Sequence, residues 1–142
     1  MTCAGGVMIL VDTSVWIDFF QTPESAAAVE LECLICGHNR VVLCGIVLQE
    51  VLQGIRSDKS YRMVRERLLK FPCLPDTRET WLRAAELYRT LRSKGVTLPS
   101  VDVSIAAIAI HHDLTLYTRD RHFEEVSRHS PLQLHSALPN NN

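Results

Sequence analysis

Several things are scarce in this 142-residue sequence, and each scarcity excludes something. An excess of one charge is missing: 15 Lys and Arg stand against 16 Asp and Glu, a formal net charge of −1. No global field therefore draws the chain to nucleic acid or to a membrane surface, and any such binding needs a local basic patch. Long apolar runs are missing too. None approaches the roughly 20 residues that cross a bilayer, so no membrane association is expected. The run Val7–Val11 has no basic region ahead of it and is too short for the core of an export signal, so the cytoplasm is the expected compartment. Cysteine is present in an odd number: Cys3, Cys33, Cys36, Cys44 and Cys73 do not make a disulfide framework and are expected as free thiols. Cys33 and Cys36 have C-x-x-C spacing with His38 nearby, but a zinc or redox site needs a second ligand pair and the sequence has none. Their plainer role is as small apolar residues on a helix.

What is present is ordinary material for one globular domain, with 46% apolar and 22% charged residues. The expected organisation is a single domain over 1–142, with its core at about 7–136 and short frayed ends, "MTCAGG" and "LPNNN". Residues 7–11 read as a buried strand and 25–36 as a helix, with Val29 or Leu31 and then Leu34 and Ile35 at helical spacing. "RVVLCG" at 40–45 is β-rich, and 46–55 returns to helical spacing. A stripe of Tyr61, Val64, Leu68 and Phe71 follows, broken by "PCLP" at 72–75. The next helix shows Trp81, Ala85, Tyr88 and Leu91 on one face and Gly95 as its stop. "VDVSIAAIAIHH" at 101–112 is apolar nearly all round, which predicts a helix inside the protein. Strand 114–118, helix 122–129 and strand 132–136 complete the chain. Strands alternating with helices imply an α/β fold, a central mostly parallel sheet with helices on both faces.

Four carboxylates stand out, two at strand ends and two on apolar helices. "VMILVDTSVWIDFF" drives a buried strand straight into Asp12, among the most costly kinds of group to bury unpaired. Asp120 follows strand 114–118 at the same kind of edge, where open α/β sheets bind ligands. Glu50 lies on or beside the apolar face of its helix, and Asp102 opens the buried helix. Each has a plain alternative as a cap, a turn residue or a side chain reaching solvent, and Thr13 and Ser14 have one as caps. Together, four acids in these places repel one another unless a cation neutralises them, and all-oxygen ligands suit a hard cation such as Mg²⁺ or Mn²⁺.

The segments "ILVDTSVWIDFF", "IVLQEVLQGI", "SVDVSIAAIAIHH" and "LYTRDRHF" resemble the successive motifs of the PIN-domain nucleases, most closely the VapC-type toxin ribonucleases of bacterial toxin–antitoxin pairs. The resemblance runs from about Val7 to about Leu134. It implies a PIN-like fold and places the family acids at Asp12, Glu50, Asp102 and Asp120, which in the family hold Mg²⁺ or Mn²⁺ and cleave RNA. Thr13, Ser14 and Thr118 would support the carboxylates from behind. It further implies a VapB-type antitoxin that inserts a segment into the site groove, and a homodimer. Two departures stand out. His122 occupies a place where many relatives carry another acid. Cys44 and Gly45 fill the place of a Ser or Thr cap before the Glu50 helix, which predicts a cap that is weak or made by backbone alone.

Arg119 and Arg121, flanking Asp120, are the best-placed candidates to hold RNA phosphates. Arg56, Lys59, Arg62, Arg65, Arg67 and Lys70 form a second basic group whose plainer reading is a solvated helix face. Aromatic residues are only 6% of the chain, which favours shape and phosphate recognition over a broad stacking platform. Trp16, Phe19 and Phe20 are equally readable as core or as docking surface near the site. Two rival functions remain. A phosphotransferase using Asp12 as nucleophile would want a second aspartate where Ser14 stands, and lacks it. A catalytically silent PIN-like module that only binds RNA or protein would usually have lost one of the four acids, and all four are present.

Overall fold

The computed structural model describes residues 7–136; the expected frayed ends, with Cys3, lie outside them. In chain order the elements are β1 (Met8–Val11), α1 (Thr13–Gln21), α2 (Ala26–Cys36), β2 (Arg40–Cys44), α3 (Gly45–Gln53), α4 (Asp58–Leu68), β3 (Cys73–Leu74), α5 (Arg78–Ser93), α6 (Ser100–His111), β4 (Thr115–Tyr117), α7 (His122–Arg128) and β5 (Gln133–Leu134). The strands form one sheet in the order β3-β2-β1-β4-β5, every pair parallel.

That order positions the site. The chain steps outward from β1 to β2 to β3, then returns past β1 to β4 and on to β5. With right-handed crossovers, α1–α4 cover one face and α5–α7 the other. The direction of winding reverses between β1 and β4, the crevice where such sheets take ligands. Asp12 continues the β1–β4 ladder by donating its N–H to Tyr117 O at 2.8 Å, so its carboxylate stands at the mouth of that crevice.

The strands are buried on both faces, as parallel strands require: Leu10, Val11, Val42, Leu43 and Leu116 are all within 1% of full burial. Helix α6 is indeed interior, with Val103 and Ile105 through Ala109 buried. Gly95 carries φ +79 in the α5–α6 turn, a left-handed backbone that stops α5 as expected.

Several expectations need correction. "PCLP" is more than a break, because Cys73 and Leu74 form the edge strand β3. Two residues between prolines carry no visible strand pattern, and only pairing with β2 defines them. Tyr61 is exposed and the buried positions of α4 are Val64 and Leu68. On α2 the open choice between Val29 and Leu31 falls to Leu31, which is buried while Val29 is exposed, so that reading stands. On α5 the inward face is Thr80, Ala84 and Leu91, while Trp81 and Ala85 point outward. Leu91 keeps its expected inward place and Tyr88 packs half-buried against the core, so the stripe is displaced only at its start. Cys33 and Cys36 are exposed rather than core, and of the described cysteines Cys44 alone is buried. Among the described residues the cysteines are free thiols.

The start of α3 follows the expected departure. Cys44 stands at its N-cap without a side-chain cap hydrogen bond. A Cβ on Gly45 would lie 3.0 Å from Asp76 Oδ2, so the glycine lets this carboxylate approach the helix N-terminus, where an anion is favoured.

Candidate active site

Asp12 is 5% exposed and stands at the N-cap of α1. Its Oδ2 accepts two hydroxyl donors, Ser14 Oγ at 3.0 Å and Thr118 Oγ1 at 2.8 Å, one from each side of the β1–β4 crevice. Thr13, between Asp12 and Ser14, donates from Oγ1 to Glu50 Oε1 at 2.8 Å, linking the start of α1 to α3. Thr118 also accepts the backbone N–H of Asp120 at 3.0 Å. The three hydroxyls thus join Asp12, Glu50 and the Asp120 loop into one network. Asp120 Oδ1 accepts the backbone N–H of His122 and lies 2.9 Å from its Nδ1. His122, where a further acid was in question, instead meets Asp120 as a partner.

Asp102 is different. It sits half-buried in the first turn of α6, and among the described residues no hydrogen-bond donor reaches its carboxylate. Burial first, and then the charges of Asp12, Asp120 and Glu50, push its pKa up to about 6, with His122 opposing weakly. The four acids therefore share one electrostatic field. They do not close into a cage: among the described residues no three Asp, Glu, His or Cys side chains stand together at metal-binding separation. The donor set, all carboxylate oxygen with hydroxyl support, fits a hard divalent cation rather than a thiophilic one. Asp102, without a protein donor and crowded by like charge, is the group such a cation would relieve most.

The basic residues divide. Arg119 forms an ion pair with Asp18 of α1, and its backbone N–H donates to Ser14 Oγ at 3.2 Å. It straps the Asp120 loop to α1. Arg121 is exposed at the start of α7 and enters no ion pair among the described residues. Asp18 is the site-region residue that the sequence reading missed. A signal existed: it lies four residues after Ser14 on the same helical face, a charge inside "VWIDFF". Trp16 and Phe19 belong to the core, so they offer no docking surface. Phe20 is half-buried and lines a cleft of about 420 Å³ that runs from Glu50 to α4. Arg67, from the basic group on α4, lies 5.1 Å from the centroids of both the Phe19 and Phe20 rings, beside that cleft. Arg67 is exposed, as a solvated face implies, and in addition lies against these two rings.

Residues 9–129 match the family profile of the PIN domain. The chain is 34% identical over 129 residues to the VapC ribonuclease Mb1587 of Mycobacterium bovis, covering 89% of this chain and 96% of that protein. Among solved structures, VapBC2 from Rickettsia felis bound to a promoter DNA fragment superposes with a TM-score of 0.75 at 20% identity, over 91% of this chain and 98% of that one. VapBC-5 from Mycobacterium tuberculosis, described as a member of the VapBC family of toxin–antitoxin systems, superposes with a TM-score of 0.67 at 19% identity, over 90% and 97%. The fold expected from the alternating pattern and the one found agree, and the chain belongs to the PIN-domain family, within its VapC branch.

Proposed function

We propose that this protein is a divalent-metal-dependent endoribonuclease, the toxin of a type II toxin–antitoxin pair, and that Asp12, Glu50, Asp102 and Asp120 form its active site. The observation that carries the reading is the hydroxyl network: Ser14 and Thr118 aim one carboxylate from both sides of the sheet crevice, and Thr13 ties in a second. A fold does not need three buried or half-buried hydroxyls spent on holding acids toward one another. A site that must present carboxylate oxygens in fixed directions does.

Asp12, Glu50, Asp102 and Asp120 would hold the ion, Mg²⁺ with Mn²⁺ able to substitute. Bound there, the ion supplies an activated water and neutralises the charge that builds up during in-line attack on a phosphodiester. The protein's own groups do the rest. Thr118 and Ser14 keep Asp12 Oδ2 in place, and Thr13 restrains Glu50. Asp102, whose carboxylate no protein donor holds, would be left free to bind the ion. Arg121 and the basic face of α4 would hold RNA phosphates, while Arg119 serves the loop.

A VapB-type antitoxin fits the cleft beside Glu50. Ile17, Phe20, Ile55 and Met63 give it apolar walls, and Arg56 and Arg67 rim it. A segment laid there would reach the acids and block RNA. The protein acts as one domain, as a homodimer and in the cytoplasm; among the described residues no helix is long and apolar enough to cross a membrane.

The test is direct. Purified protein with Mg²⁺ or Mn²⁺ should cut a structured RNA, EDTA should stop it, and Asp12→Asn should not cut under any condition. Cleavage that survives chelation, or that persists in Asp12→Asn, overturns the mechanism.

A further inference from the structure

The groove between α5 and α6 holds features that the catalytic reading leaves unused. Trp81, Tyr88, Arg89 and Arg92 of α5 meet Ser100 and Ser104 of α6 around a space of about 360 Å³. Trp81 is 45% exposed, an unusual state for the largest apolar side chain on an amphipathic helix. The Arg92 guanidinium lies over the Tyr88 ring, 5.8 Å from its centroid. Among the described residues neither Arg89 nor Arg92 enters an ion pair, whereas Arg83, Arg119 and Arg128 each have a carboxylate partner. The groove lies across α6 from Asp102. Ser100 and Asp102 share the first turn of α6, two residues apart, so they face different sides of one helix about 10–12 Å across.

We propose that this groove is a nucleotide subsite, which holds an unpaired base and an adjoining phosphate of the RNA to one side of the cleaved bond. The proposal rests on the ribonuclease reading above. Trp81 offers a face for the base, Arg89 and Arg92 offer charge for the phosphate, and the Ser100 hydroxyl, which has no hydrogen-bond partner among the described residues, can bond sugar or phosphate; Ser104 donates its own hydroxyl to the Ser100 backbone carbonyl at 2.8 Å. Stacking on aromatic rings next to arginine is how single strands are held without sequence readout. Charge complementarity and size favour this occupant. Two cations without carboxylate partners suit a polyanion. The space is at the low end of small-ligand sites and suits one base, whereas a stable second copy needs a far larger continuous face. The low aromatic content excludes a broad stacking platform but leaves room for this one groove, where two rings stand with two arginines.

The two tryptophans make the test simple, because Trp16 is fully buried and Trp81 is exposed. A short oligouridylate added to the full-length protein in EDTA should quench the intrinsic fluorescence, and Trp81→Ala should remove the quenching. In cleavage assays with metal, Trp81→Ala should raise KM about tenfold with kcat nearly unchanged, and Trp81→Phe should recover most of the loss, as stacking predicts. Arg92→Gln should lower the salt slope of oligonucleotide binding by about 0.7, the loss of one phosphate contact. Circular dichroism melts equal to wild type would show that the variants are folded. Wild-type cleavage with no quenching and an unchanged KM in Trp81→Ala overturns the subsite while leaving the ribonuclease reading intact. Conversion of a dimer to a monomer by Trp81→Ala, with oligonucleotide affinity unchanged, also overturns it and assigns the face to a second copy, with Leu82 as its neighbour. A wild-type protein that cuts no RNA with either metal counts against the ribonuclease reading instead, and quenching can still be read in that case.

Discussion

Thr118 makes two bonds that no other residue type of its size makes together: its hydroxyl donates to Asp12 Oδ2 and accepts the N–H of Asp120. Thr118→Val keeps the shape and loses both. A hydrogen bond to a charged group contributes about 1.5–3 kcal/mol, and the valine leaves a nearly buried carboxylate short of one donor. Stability in urea should fall by roughly that amount, and cleavage should fall by more than tenfold because two acids lose their aim at once. A Thr118→Val protein with normal turnover would show that the hydroxyl network is only structural. The neighbouring arginines should separate. Arg121→Ala should weaken RNA binding and reduce its salt slope by about 0.7, the value for one phosphate on a single strand. Arg119→Ala should leave that slope alone and instead lower kcat, because its guanidinium is engaged with Asp18 and its loop carries Asp120. Equal salt slopes for wild type and Arg121→Ala would remove Arg121 from the RNA path.

At the scale of elements, Gly95 tests how the α5–α6 hairpin is made. A Cβ there meets nothing within 4 Å, so Gly95→Ala introduces no clash and its cost is purely the left-handed backbone, about 1–2 kcal/mol. Gly95→Asn should lose less, since asparagine tolerates that conformation. Urea midpoints at constant m value check this order, and an alanine variant as stable as wild type would mean the turn has another conformation. That glycine was legible because a helix stop is local. So were β1, β2, β4 and the interior helix α6, whose apolar runs state their burial directly. What was not legible depends on partners. Nothing in "PCLP" announces β3 until β2 lies beside it. On α5 two starts to the stripe compete, Trp81 with Ala85 and Thr80 with Ala84, and both run on to Leu91, so the sequence alone does not decide between them. The same holds at the candidate site. The four acids stood out, two at strand ends and two on apolar helices, but nothing local announced that the fold would pair Arg119 with Asp18.

For the whole molecule, the grouped acids link stability to pH and to metal. The Asp102 carboxyl is raised from its ordinary 3.8 to about 6 by burial and by Asp12, Asp120 and Glu50. The folded state therefore holds this proton more tightly than the unfolded chain does. Its contribution to stability is fully present below about pH 4 and is lost as pH rises through about 6. Metal-free protein should thus melt at progressively lower temperature across that window, beyond the changes other groups cause, and Asp102→Asn should flatten this part of the profile. A divalent ion has the opposite preference, because it competes with the same proton. Its stabilisation follows mass action, about 2.7 kcal/mol at a hundredfold excess over the dissociation constant, and should be small at pH 5 and full at pH 7.5. Asp102→Asn should gain clearly less from Mg²⁺ or Mn²⁺ at either pH, since one ligand is missing. The measurement is a grid of melts, wild type and variant, with EDTA and with metal, at the two pH values. If the metal-induced shifts are equal in the two proteins, Asp102 is no ligand and the site contracts to Asp12, Glu50 and Asp120. If only the metal-free pH slopes are equal, burial and repulsion do not load Asp102 as its position in α6 implies, and its role is confined to the metal-bound state.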